Sequence, residues 1–185
     1  MRNHLLPFVF SLAMLAGCAS PDGETVAEKT AYTLRVRDEA LAQLYERDPS
    51  ARDKIAAAPG YAFLSGFAIH PGFLTFANAY GVIQDNVSGR LVYVRMTRFG
   101  IGPGLAVKGY YVVATMTAED LAAAAGGEWH VGSLAEASFI FGDTGGSAAA
   151  ESFTTTTEDW LWSHTGVAIE AAAGFGKVYP EDDLN

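Results

Sequence analysis

The chain has 185 residues, with 12 Lys and Arg against 21 Asp and Glu, for a formal net charge of −9. Half of its residues are apolar and 18% are charged, the balance of one globular domain and not of a disordered chain. The negative charge argues against general nucleic-acid binding, and a single Cys excludes an internal disulfide or a Cys-built zinc site.

Arg2 and His4 open a short basic region, and residues 5–16 are apolar except for Pro7 and Ser11. A helix that crosses a bilayer needs about 20 apolar residues, so this run has the length of a signal-peptide core instead. The next residues, Leu15-Ala16-Gly17-Cys18, resemble the lipobox of bacterial lipoproteins. That resemblance implies a diacylglyceryl group on the Cys18 thiol, cleavage before Cys18 and a further acyl chain on the freed amine. Two or more acyl chains hold a protein stably on a membrane. Ala19 stands where inner-membrane retention usually has Asp, which points to the outer membrane with the domain in the periplasm. The expected organisation is a signal peptide over 1–17, a lipidated N-terminus and linker over 18–30, and a domain over 31–185. Without residues 1–17 the net charge becomes −10.

Leu34, Leu41, Leu44 and Tyr45 recur at helical spacing and predict a helix over 26–47. Asp48-Pro49 ends it and begins a second helix over about 49–57, which stops at Pro59-Gly60. From Tyr61 the texture becomes aromatic and β-branched, predicting strands over 61–69, 73–84, 90–98 and 110–116. Residues 85–89 read as a hairpin loop. Gly100, Gly102 and Gly104 mark a bent strand or a close backbone approach. Thr117-Ala118-Glu119-Asp120 resembles a capping box that opens a short helix ending at Gly126-Gly127. Further short strands are expected over 128–132, 134–141, 147–156, 160–164, 167–173 and 175–179. The expected fold is α+β: N-terminal helices, then a curled antiparallel sheet, sandwich or barrel-like, with one short inserted helix.

Charge is segregated along the chain. Residues 86–108 hold four bases, Arg90, Arg95, Arg98 and Lys108, and no acid; residues 109–185 hold 12 acids and one base, Lys177. Two readings stay open. The four cations, with Tyr93, Phe99, Tyr110 and Tyr111, form a headgroup-binding strand pair, or they pair with acids of the C-terminal half. Strand parity separates Arg95 from Arg90 and Arg98.

The chain has no Gly-x-Ser-x-Gly, no His-Glu-x-x-His and no phosphate-binding loop ending in Gly-Lys-Ser/Thr. His70, His130 and His164 lie far apart, so a metal or acid–base role would need the fold to gather them. Glu158-Asp159 and Glu181-Asp182-Asp183 read as solvated turns. Trp160 and Trp162 share a strand face and read as packing residues. No cofactor, metal or catalytic constellation is expected.

An ordered set of short features then resembles the SYLF domain family, in its bacterial lipoprotein branch. Leu44-Tyr45 precedes Asp48-Pro49, then Ala58-Pro59-Gly60-Tyr61-Ala62, then Asn78-Ala79-Tyr80-Gly81-Val82 with Asp85-Asn86 and Gly89. Tyr93 and Met96 precede Gly100-Ile101-Gly102-Pro103-Gly104 and Val107-Lys108. Gly127-Glu128-Trp129, Gly145-Gly146, Gly166-Val167-Ala168 and the closing residues Tyr179 to Asn185 complete the set, which covers about residues 40–185. The resemblance implies a phospholipid-binding domain. Family members of eukaryotes are thought to use an amphipathic N-terminal helix, but here residues 24–48 hold six acids against four bases, a poor reader of anionic lipid.

The expected function is therefore a non-enzymatic, lipid-anchored envelope protein that binds membrane phospholipid. The expected lipid-binding residues are Arg90, Arg95, Arg98, Lys108, Tyr110 and Tyr111. One alternative is a structural or protein-interaction module of the envelope. A second is a hydrolase whose fold gathers His130, His164 or Glu170.

Overall fold

The computed structural model describes residues 20–127, 129–141, 144–150 and 158–185, with the backbone alone over 130–141 and 144–150. The targeting segment, Cys18 and Ala19 lie outside the described residues, as do Glu128 and residues 151–157 at the end of one expected strand.

Helix α1 spans Val26–Arg47. It starts there because Thr25 caps it: the Thr25 hydroxyl accepts from the Glu28 amide, and Glu28 Oε2 accepts from the Thr25 amide at 2.9 Å. The boundary drawn at residue 31 falls inside this helix. Its fully buried stripe is Thr33, Val36, Ala40 and Leu44, while Leu34, Leu41 and Tyr45 flank it, half-buried. Helix α2 spans Ala51–Ala57, slightly later than Pro49 suggested. Asp48 Oδ1 accepts from both the amide and the hydroxyl of Ser50, which keeps residues 48–50 in a turn.

The many short strands of the sequence reading merge into fewer, longer ones. Runs 61–69 and 73–84 are one strand, β1, Gly60–Asp85; β2 spans Leu91–Met116 straight through the glycine segment. Helix α3, Ala118–Ala125, is followed by β3, His130–Phe141, β4, Thr144–Ala150, and β5, Asp159–Pro180, which joins three expected strands. All neighbours pair antiparallel in the order β1-β2-β5-β3-β4. β2 stays one strand through the glycine segment, although the ladder to β1 shifts register at Gly72/Leu74, opposite Gly102 and Pro103. A Cβ on Gly102 would stand 2.0 Å from the Ala171 carbonyl oxygen, so only glycine lets β2 and β5 close up there.

The sheet is strongly curled. Gly81 and Phe63 lie 18 residues apart on β1, about 60 Å in a straight strand. Yet a Cβ on Gly81 would fall 1.8 Å from the Phe63 carbonyl oxygen. The Tyr61 hydroxyl likewise reaches the Gln84 side-chain oxygen at 3.1 Å. The two arms of β1 thus meet, while β1 and β4 remain the edges of an open sheet.

The curl gives the sheet a concave and a convex face. The concave face joins Leu64, Val112 and Met116 of one arm to Ala79, Val94 and Met96 of the other, with Trp129 and Ala124. On the convex face, α1 and α2 cover the ends of the arms, packing Val36, Ala40, Leu44 and Ile55 on Phe63, Val82, Val113 and Trp162. The α+β reading therefore holds, with helices first, a curled antiparallel sheet and one short inserted helix. Register shifts at Gly72/Leu74 and Gly109/Tyr110 exchange the faces. In β1 the buried set passes from Ala68 and His70 to Thr75, Ala77 and Ala79.

Candidate functional site

Between the helix-covered ends, the convex face of β1, β2 and β5 is apolar and is left uncovered by the described residues. Ile69, Val107 and Val167 form one cross-strand row, and Phe76, Phe99 and Phe175 form another. Ile101 and Leu105 on β2 and Ile169 on β5 lie between the rows, and these three are 60–64% exposed. The phenylalanine rings touch in series, with centroids 5.2 Å apart for Phe76–Phe99 and 6.5 Å for Phe99–Phe175. At the valine row, Ile69, Pro71, Leu105, Val107 and Val167 line an open apolar groove of about 420 Å³. A contiguous bare apolar patch of this kind marks an interaction surface.

Beneath the band, on the concave face, lies a buried polar cluster. Glu170 of β5 receives Lys108 Nζ of β2 on Oε1 at 2.6 Å, and its Oε2 lies 2.7 Å from His70 Nδ1 of β1. His70 Nε2 is 2.7 Å from the Gly102 carbonyl oxygen, which only accepts, so Nε2 carries a hydrogen. The contact between Nδ1 and Oε2 also needs a hydrogen, held on the ring or on the carboxyl. Thr75 Oγ1 completes the cluster, 3.0 Å from Nδ1. Four side chains thus tie three strands together where the sheet bends, each of them at most 7% exposed. Small residues make the room: Ala68, Ala106, Ala168 and Ala172 line the same face.

The structure does not gather the six residues expected to bind lipid. Arg90 is exposed at the hairpin beside Asp85. Arg95 lies on the convex face and pairs with Glu181. Arg98, Lys108 and Tyr110 point to the concave face and are buried. Tyr111 is half-buried on the convex face, stacked on His164 at 4.2 Å and against Trp162 at 5.6 Å. Strand alternation is the reason: odd and even residues of β2 face opposite sides, and the strand is long enough to separate its ends. For Arg95 and Lys108, pairing with C-terminal acids is what the structure shows.

Of the residues considered for a hydrolytic site, Glu170 is engaged in the buried cluster. His164 stacks on Tyr111, and burial against that ring pushes its pKa below the usual histidine value. The side chain of His130 lies outside the described residues. Among the described residues, no group of three or more His, Cys, Asp or Glu is placed to hold a metal, and no helix is long and apolar enough to cross a membrane. Trp160 and Trp162 pack as expected, donating to Asp48 Oδ2 at 3.0 Å and Gln43 Oε1 at 3.4 Å.

The sequence reading missed both features. The period-two run Ile101, Leu105, Val107 was a visible signal for the band, but burial of its alternating partners was not. His70, Thr75 and Glu170 carry no motif, since the sheet brings them together from 100 residues apart. No protein-family model matches the chain, and no curated protein matches it.

Proposed function

We propose that this chain is a membrane-anchored envelope lipoprotein, held through acyl chains on Cys18, whose SYLF-like domain binds phospholipid without catalysing a reaction. The domain faces the periplasm from the outer membrane. The observation that carries this reading is the bare convex band. Over residues 67–78, 97–109 and 165–179 the one acid is Glu170, which is buried on the other face. Among the described side chains, a chain of net charge −9 thus keeps its acids off this apolar surface. Apolar contact with acyl chains is favourable at about 25 cal/mol per Å² buried, and the absence of carboxylates removes repulsion from anionic headgroups.

The test is flotation of the mature chain carrying Cys18→Ser with phosphatidylethanolamine–phosphatidylglycerol vesicles. Binding that persists at high salt is expected, because apolar contact is not screened. A chain that stays at the bottom of the gradient with every lipid tried overturns the reading.

A further inference from the structure

We propose that the convex band enters the acyl-chain region of the same leaflet that holds the Cys18 anchor, so that the domain lies bend-down on its own membrane. The inference rests on the proposed lipidation of Cys18 and deepens the phospholipid-binding reading, by replacing headgroup capture with insertion.

Three observations fix the occupant as that membrane. The first is where the described chain begins. Ser20 and buried Pro21 sit in a niche with Lys29, Arg95, Glu181, Asp183 and Leu184. Cys18 lies two residues before Ser20, a reach of about 7 Å. Arg95 lies four residues, about 13 Å, along β2 from Phe99 and on the same face. An anchor at Cys18 is thus tethered within about 7 Å of a niche that lies about 13 Å along the same face from the phenylalanine row, so a lipid held there is within reach of the band.

The second is the layering between anchor and band. The row next to the phenylalanines is Asn78, Thr97 and Lys177, and the row after it holds Tyr80, Arg95 and Tyr179. Lys177 and Tyr179 are exposed, and Lys177 is the one charged side chain of the convex face over residues 67–78, 97–109 and 165–179. Apolar side chains, then a polar row with a lysine and a tyrosine, is the order of groups across a membrane interface, where lysine and tyrosine meet headgroups.

The third is the inversion of polarity across the sheet. At the bend the charged groups face inward and the aliphatic groups outward, the reverse of an ordinary soluble sheet and the pattern of a lipid-facing wall. With His70, Lys108 and Glu170 paired inside, the sheet meets hydrocarbon without exposing a charge.

The experiment uses the lipidated full chain, in which acylation leaves no free thiol. Ile101→Cys, Leu105→Cys and, as a reference on the hairpin loop, Val87→Cys are each labelled with an environment-sensitive fluorophore and reconstituted in vesicles of the same two phospholipids. Nitroxide-bearing acyl chains should quench the labels at 101 and 105 at least twofold more than the label at 87. Equal quenching at all three overturns insertion. Burial of the labels at 101 and 105 without vesicles, together with sedimentation as a dimer, also overturns it, because a second copy then covers the band. Using two band positions guards against one variant that fails to fold. The flotation result separates the two proposals: flotation of the Cys18→Ser chain without selective quenching sinks insertion alone, and selective quenching without flotation sinks anchor-independent binding alone.

Discussion

Lys108 and Glu170 meet 2.6 Å apart inside the bend of the sheet, both almost completely buried. The pair lies directly behind a surface of exposed isoleucine, leucine and valine, so removing either charge takes an ion-pair partner from the other where water does not reach.

Glu170→Gln is therefore expected to lower the unfolding free energy by about 3–5 kcal/mol, because it leaves the Lys108 ammonium buried without its carboxylate. Lys108→Met with Glu170→Leu should cost less than the sum of the single changes, since the two charges leave together. Urea unfolding of Glu170→Gln, of Lys108→Met and Glu170→Leu singly, and of the double variant measures this. Additive losses would show that the pair is not coupled.

Gly81→Ala is expected to destabilise by about 1–3 kcal/mol or to open the contact between the arms of β1, since its Cβ has no space beside Phe63. Gly89→Ala meets nothing within 4 Å, although its φ of +73 adds a smaller backbone cost. The midpoint for Gly81→Ala should fall well below that for Gly89→Ala, and equal midpoints would contradict the curl.

The four cations of the acid-free stretch should behave as individuals. Arg90→Gln, at an exposed position, should leave stability within about 0.5 kcal/mol of the parent. Lys108→Gln should unfold the domain at much lower denaturant, and Arg95→Gln, which breaks the pair with Glu181, should fall between them. Similar losses of vesicle binding in all three, with stability unchanged, would restore a cationic headgroup site.

Acid should weaken the turns that flank the covered ends. Hydrogen bonds from Ser88 and Val87 hold the Asp85 carboxyl below its ordinary value of 3.8, and bonds from Ser50 and Trp160 do the same for Asp48. Both folded values lie below the unfolded ones. Their stabilisation is thus complete above about pH 4 and is lost as pH falls through the lowered values. Asp85→Asn and Asp48→Asn should each flatten the stability profile on that acid limb and leave its shape above pH 5 unchanged. A steeper acid limb in either variant would contradict the assignment.

Much of the architecture was legible locally. The leucine spacing of the first helix and the Thr117 cap are short-range patterns, and both helices stand where those patterns put them. The β-branched and aromatic runs marked the strands, and Gly102 is the close backbone approach that the glycine segment suggested, but that runs 61–69 and 73–84, or 90–98 and 110–116, are single long strands was not visible. That continuity depends on the neighbouring strand, which is far away in sequence.

The sequence by itself determined the order of helices and strands, the alternation along each strand, the uneven charge and a lone Cys18 in a lipobox-like setting. These follow from residue type and spacing within a few turns of chain. Only the tertiary structure decided which side of each strand is covered. Curling β1 until Gly81 meets Phe63 makes one face concave. That face takes in Lys108 and Arg98, for which the charge map left a headgroup site and pairing with acids both open, and leaves Ile101, Leu105 and Ile169 outside, where composition alone would have put a core.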